Sequence, residues 1–308
     1  MKPVQENDLL DVFEQVKNWG RWGAEDERGT LNLVTAEKIR QAAGLIEAGH
    51  PVSCGGMDFT PSVINATPPT HYMIAGGDIA QDDYGVARDY FGIPPHGPGC
   101  THLDALCHVF FRGRMYNNRP ASMVTSAGAT ANSILAASSG ITTRGVLLDI
   151  PRLRDVPFFG PEQPVRAAEL DDAERTAGVS VTDGDALIVR LGRLVRRREL
   201  GAGAERVDGR VHFPGLHPDC LPWLYARGVS LLVSDAGQDA LPSGYQHARA
   251  PIHIGALVFM GLHLLDQAIL EDLAQECVRR QRWEFYFTVA PLTVPGGTGS
   301  PVNPIAIF

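Results

Sequence analysis

The residues best suited to chemistry fall between His96 and His108, in the stretch HGPGCTHLDALCH. It holds His96, His102, Asp104 and His108. On an extended segment side chains alternate, so His102 and Asp104 point to the same face. An imidazole nitrogen and a carboxylate oxygen set about 6–7 Å apart along a strand can converge on one divalent ion. His108 is an even step from Asp104, so a continuing strand keeps it near that face. A helical turn would also return it to that side. Gly97, Pro98 and Gly99 bring the backbone sharply into this segment. Ordinary hydrogen bonds can also satisfy three histidines beside an aspartate, so spacing alone leaves a metal site and a structural cluster both open.

A second group follows the apolar run 228–234 (GVSLLVS): Asp235, Gln238, Asp239, His247 and His253. Loops after strand ends are common places for sites. The plainer reading has Asp235 capping a turn and Gln238 facing water. Among the aromatic residues, Trp22 and Phe59 sit in turn-rich segments and are the expected substrate-binding pair. Tyr72, Tyr90, Phe91 and Phe110 are further candidates, with core or interface positions as the alternative. The basic run Arg193 to Arg198 (RLVRRR) reads as a solvated helix face.

The elements that must position these groups alternate loosely. Residues 8–18 read as a short amphipathic helix. Thr35 suits an N-cap, with Ile39, Ala42, Ala43 and Ile46 on one apolar face and Gly49 as the stop. Strands are expected at 145–150 (GVLLDI), 186–191 (ALIVRL), 228–234 and 284–290 (EFYFTVA). Helices are expected at 164–178 and 266–280. The pattern is α/β with several antiparallel or loop-linked strands, on a single domain spanning 1–308.

Composition narrows the function classes. The 308 residues carry a net charge of −8, which gives no positive field to attract nucleic acid. At 44% hydrophobic residues, the chain can bury a core rather than remain disordered. The five cysteines form no CxxC pair, which suggests neither a disulfide framework nor a zinc ribbon. No apolar leader segment is visible in MKPVQENDLL, and the run Ile252 to Leu265 is too short and too polar to span a bilayer. A reducing cytoplasm is the expected compartment. The 33 Gly and 22 Pro point to many tight turns and a site built from loops.

The core Thr101-His102-Leu103-Asp104, with His108 four residues on, resembles the HxGTHxDxxxH signature of the putative cyclase family, which includes bacterial kynurenine formamidase and isatin hydrolase. Further blocks are similar in the same order: WGAEDERGTLNLVT, GVLLDI, GDALIVRLGR, FPGLHPDCLPWL and GGTGSPVNPIAIF. The resemblance implies a swivelling β/β/α fold and a metal-dependent hydrolase. Such an enzyme would open amide, imide or lactone bonds of a small substrate with one Mn²⁺ or Zn²⁺, as a dimer or tetramer. It implies that His102 and Asp104 are metal ligands, with Gln238 a third. His108 then matches the proton-transfer residue and His253 a later family histidine, a second catalytic candidate. Asp266 falls one residue from a downstream family glutamate. The first motif histidine would fall at Pro98, which has no ligating side chain. That departure implies a single-ion site unless His96 reaches in from two residues away. Such a ligand set leaves an open position for water, acidifies that water and polarises a carbonyl. A metal-dependent lyase or isomerase, and a non-catalytic binding relative, are the alternative classes.

Overall fold

The computed structural model describes residues 6–62, 64–79, 83–160 and 162–308. The first five positions of the N-terminal stretch read for a leader lie outside them. The strands of the main sheet are β1 (Pro51–Ser53), β2 (His102–Asp104), β3 (Ile141–Asp149), β4 (Ala186–Arg190), β5 (Leu231–Ser234), β6 (His263–Asp266), β7 (Glu284–Val289), β8 (Gly299–Pro301) and β9 (Ile305–Ile307). They form one sheet in the order β1-β9-β7-β3-β4-β5-β6-β2-β8. The four central strands, β3 to β6, run parallel, and the flanks are antiparallel. The antiparallel flanks agree with the expected α/β pattern with several antiparallel or loop-linked strands, and the centre is parallel. Its strands are continuous apolar runs because both faces are covered.

Register sorts the side chains into rows. Val146, Leu187, Leu232 and Leu264 lie abreast and enter one core. Leu147, Ile188, Val233, Leu265 and Leu103 form the next row and enter a second core on the opposite face. One step further toward the strand ends, Asp266 pairs with His102 on the face of the first core. The alternation that buries leucine on one row therefore delivers titratable groups on the next. They emerge at the carboxyl end of β6, where the sheet turns from parallel to antiparallel.

Helix α1 (Glu6–Gln15) covers the first core through Leu9 and Phe13. Phe13 stacks on Phe259 at 5.0 Å, inside a π-helix over Ile254–Met260. The segment after α1 holds the end of that π-helix. Asn18 and Trp19 donate to the carbonyls of Met260 and Val258, and Thr30 donates its N–H to Gly261 O. These bonds satisfy carbonyls that a helix end leaves open.

Several elements differ from the sequence expectation. Helix α2 runs Ala36–Ala43 with Thr35 capping Lys38, and stops at Gly44 rather than Gly49. Ile39 and Ile46 stay 37% and 40% exposed. The chain leaves the helix because Ala48 and His50 bond to Phe308 O beside β9. The expected 266–280 helix is the end of β6, a connector, and then a helix over Glu271–Arg280. Gln267 has φ +61 and Ala268 and Ile269 donate to Ser234 O and Cys54 O, which rules out a helix there. The basic run is also not a solvated face. Arg193 and Arg196 are buried, with Arg193 2.6 Å from the fully buried Glu205. None of the described helices is long and apolar enough to cross a membrane.

Gly29 and Gly261 meet at one tight point. An alanine Cβ at 29 would sit 1.9 Å from Gly261 O, and Gly29 has φ +57. Gly29→Ala should therefore lower unfolding stability by about 2–3 kcal/mol. Urea denaturation checks this, and an unchanged midpoint would contradict it.

Candidate functional site

Asp104 is the centre of the cluster and is completely buried. Four imidazoles surround it. His96 Nδ1 lies 2.8 Å from Asp104 Oδ1, and His102 Nε2 lies 3.6 Å from the same oxygen. His253 Nε2 lies 3.7 Å from Asp104 Oδ2. His108 stacks on His96, ring centroids 3.6 Å apart and nearly parallel. The strand reading of residues 102–104 holds, and His102 and Asp104 share a face. His108 reaches that side by a tight turn, its N–H bonded to Ala105 O, and not by further strand or helix.

Three of the rings are oriented by their second nitrogen. His102 Nδ1 donates to Cys100 O at 2.9 Å, which leaves Nε2 facing Asp104. His253 Nδ1 bonds Asp239 Oδ2 at 2.5 Å, while Asp239 also accepts the N–H groups of Ile252 and His253. One carboxylate thus caps the turn Pro251–His253 and aims its histidine. The π-helix begins at the next residue, and such wide turns recur at functional sites. His96 Nε2 is 3.0 Å from Thr298 Oγ1, a link to the GGTGS segment near the C-terminus.

Asp266 enters from β6, its Oδ2 3.4 Å from His253 Nε2. Gln238 is fully buried and donates to Asp266 Oδ1 at 2.7 Å and to Leu265 O at 3.2 Å. Asp235 is buried too, and accepts the backbone N–H groups of Leu191, Gly192 and Arg193. It caps a turn, as the plainer reading has it. Gln238 does not face water, because the loop after β5 folds inward over the strand end. Trp22 packs under the Arg21 guanidinium at 4.7 Å, and Phe59 edges onto His71 at 6.4 Å. Both stay outside the pairs that build the cluster.

Electrostatics differ from ring to ring. Burial pulls the His102 pKa down, but its bond to Cys100 and the charges of Asp104 and Asp266 lift it to about 9. Burial likewise opposes a charge on His253, and Asp239 and Asp266 still hold it well above the usual range. His108 is lowered to about 4, first by burial and then by the neighbouring imidazoles. Burial would raise Asp104, but the His96 bond and the other three rings hold it far below a normal carboxylate.

The donor set suits a cation. Among the described residues, two groups bring their ligand atoms within 4.8 Å of one another: His96, His102 and Asp104, and Asp104, His253 and Asp266. Asp104 belongs to both. Its Oδ2 and Gln238 Oε1 are buried without a hydrogen-bond partner. An unsatisfied buried acceptor costs about 1–3 kcal/mol, and a divalent ion among these oxygens and imidazoles would remove that cost.

His96 belongs to the cluster read from the sequence, and the structure brings its Nδ1 to Asp104. Asp239 and Thr298 were less visible in sequence. Asp239 gave no sign that it would orient His253, fourteen residues on. The GGTGS block pointed to Thr298 only as part of a resemblance.

A family model described as putative cyclase matches residues 27–238. The fold is similar to a crystal structure of a novel cyclase, at 28% identity over 96% of this chain and 99% of that one, with a TM-score of 0.83. It is also similar to an isatin hydrolase bound to the product analogue thioisatinate, at 18% identity over 88% and 98% of the two chains and a TM-score of 0.60. Isatin hydrolase A from Labrenzia aggregata, bound to benzyl benzoate, gives 18% identity over 86% and 94%, with a TM-score of 0.60. No curated protein matches the chain. Matched over more than half its length, with the motif residues gathered around Asp104, the chain belongs to the putative cyclase family.

Proposed function

We propose that the protein is a metal-dependent hydrolase that opens an amide, imide or lactone bond of a small cyclic or aromatic substrate. The observation that carries this reading is the buried Asp104, ringed by imidazoles, with its Oδ2 lacking a hydrogen-bond partner; the buried Gln238 Oε1 is likewise unpartnered. His102, Asp104 and Gln238 are the residues that would hold one divalent ion, Mn²⁺ or Zn²⁺. Asp266 keeps the Gln238 amide in place, and His96 braces Asp104 against Thr298. Such an ion supplies Lewis acidity, which acidifies water and polarises a carbonyl.

The chain's own residues do the rest. His108, stacked on His96, takes a proton from the attacking water at a ring nitrogen. His253 has its Nδ1 committed to Asp239, so only Nε2 can pass a proton to the departing nitrogen or oxygen. Burial of the cluster excludes bulk water and strengthens each of these contacts. We take the chain to act as one domain, in a homodimer or homotetramer.

Metal analysis of the purified protein comes first. A screen of cyclic amides, imides, lactones and N-formyl aromatics in ¹⁸O-labelled water then tests the reaction. Hydrolysis puts label in the product carboxylate. Solvent hydrogen exchange without oxygen incorporation would reject hydrolysis in favour of a lyase or isomerase.

Three substitutions separate the roles. Asp104→Ala should lose the bound metal, and unchanged stoichiometry would remove Asp104 from the ligand set. His108→Ala should keep the metal and lose turnover by about 10²–10⁴-fold. Near-normal activity in that variant would end the assignment. Asp239→Ala leaves the His253 ring unaimed and two buried N–H groups unpaired. It should cost about 2–4 kcal/mol of stability and about 10–100-fold in activity. Equilibrium unfolding and steady-state kinetics check both, and wild-type values in either would contradict the orienting role.

A further inference from the structure

A cleft of about 530 Å³ lies where the chain past the carboxyl ends of β4, β5 and β6 meets the segment leading into β2. Its walls include the connector after β1, residues 98–101 before β2, residues 267–269 after β6 and the helix Arg193–Leu200. Crevices at this end of a parallel sheet are common ligand sites. None of the titratable residues gathered around Asp104 lines it.

Arginine sets the character of this cleft, which is lined by Arg193, Arg197 and Arg198. Arg193 is 2% exposed, and its Nη2 has no hydrogen-bond partner among the described residues. Its other contacts hold it in place. Nη1 donates to Gln267 Oε1, Nε lies 2.6 Å from Glu205 Oε1, and the guanidinium lies 4.7 Å from the Phe213 ring. Arg197 meets Asp58 at 2.8 Å and lies 3.9 Å from Glu205. Arg198 is exposed and has no ion-pair partner among the described residues.

The nearby carboxylates do not balance these cations. Arg196, on the same helix, is buried as well. Its Nη2 donates to Ala204 O, its Nη1 has no partner, and no carboxylate among the described residues is in ion-pair range. Four guanidiniums thus stand against Asp58, Glu205 and Asp235, which leaves one positive charge in excess. Both oxygens of Asp235 are already on the backbone N–H groups of Leu191, Gly192 and Arg193. The start of the helix is therefore capped, and the guanidiniums are what the cleft offers a ligand. A buried guanidinium edge without an acceptor is costly, and an anion in the cleft removes that cost. The planar fork of arginine matches a carboxylate, which also brings the single negative charge missing here.

We propose that this cleft is a binding site for a small monocarboxylic acid, held by Arg193 and Arg198 and separate from the metal centre. The cleft is of small-molecule size, so the acid carries a short organic body as well as its carboxylate. The acid touches the segments that carry the site: Thr101 Oγ1 donates to Gln267 O, and these two residues adjoin His102 and Asp266.

Isothermal titration of the metal-loaded protein at constant ionic strength tests this, with butyrate, neutral butyramide and inorganic phosphate as probes. Wild type should bind butyrate saturably and butyramide not at all. Arg198→Gln should weaken butyrate about tenfold. The double variant Arg193→Gln with Glu205→Gln removes a buried pair together, so no lone charge is left inside. It should abolish saturable butyrate binding, with circular dichroism checking its fold. Should the double variant not fold, Arg198→Gln decides alone, because its side chain is exposed. Asp104→Ala should keep butyrate binding. Absence of saturable butyrate binding, or wild-type affinity in Arg198→Gln, overturns the proposal. Loss of binding in Asp104→Ala places the acid on the metal and also overturns it. Phosphate binding more tightly than butyrate, with the same arginine dependence, rejects the carboxylate ligand.

Discussion

A carboxylate with no access to water must find its compensation inside the protein. Asp104 is in that position at the end of a three-residue strand. Everything around it meets that need. Imidazoles approach from a loop before the strand, from the strand itself, from the turn after it and from the start of the π-helix. The second nitrogens of His102, His253 and His96 are in turn fixed by Cys100, Asp239 and Thr298. Asp239 and Asp266 add negative charge to the same volume. Its balance is then set by protons on the rings or by a cation, and a divalent ion satisfies carboxylate and imidazole together.

The sheet makes this convergence possible. Rows of leucine, isoleucine and valine fix the register of β3 to β6, and that register places Asp266 beside His102. A slip of one residue would turn both into the other core. The π-helix is positioned just as tightly. Its far end is held by Asn18, Trp19 and Thr30 and by the Gly29–Gly261 contact, so His253 at its near end keeps a fixed distance from the strand. Stability and site geometry therefore share residues far from the cluster.

Much of this was legible in the sequence. Apolar runs 145–150 and 186–191 gave strands because both faces of those strands are buried, and the helix expected at 164–178 ends at Gly178, where φ is +66. The alternation of His102 and Asp104 was readable because a period of two needs only neighbouring residues. What escaped depends on partners remote in the chain. Strand β6 hid inside an apolar run without alternation. Arg193 and Arg196 looked solvated because burial of Arg193 depends on Glu205, which no local pattern connects to them. Whether His96 takes up the position lost to Pro98 is a matter of loop path. The structure brings its Nδ1 to Asp104, a contact spacing could only raise as a question.

The central claim is that Asp104 anchors a divalent metal ion. Anomalous diffraction from crystals grown with Mn²⁺, collected at the manganese edge, tests it directly. The account predicts a strong peak within bonding distance of an Asp104 carboxylate oxygen and of at least one of the surrounding imidazole nitrogens. No peak there, in crystals of a protein that turns over its substrate at the same Mn²⁺ concentration, would contradict it.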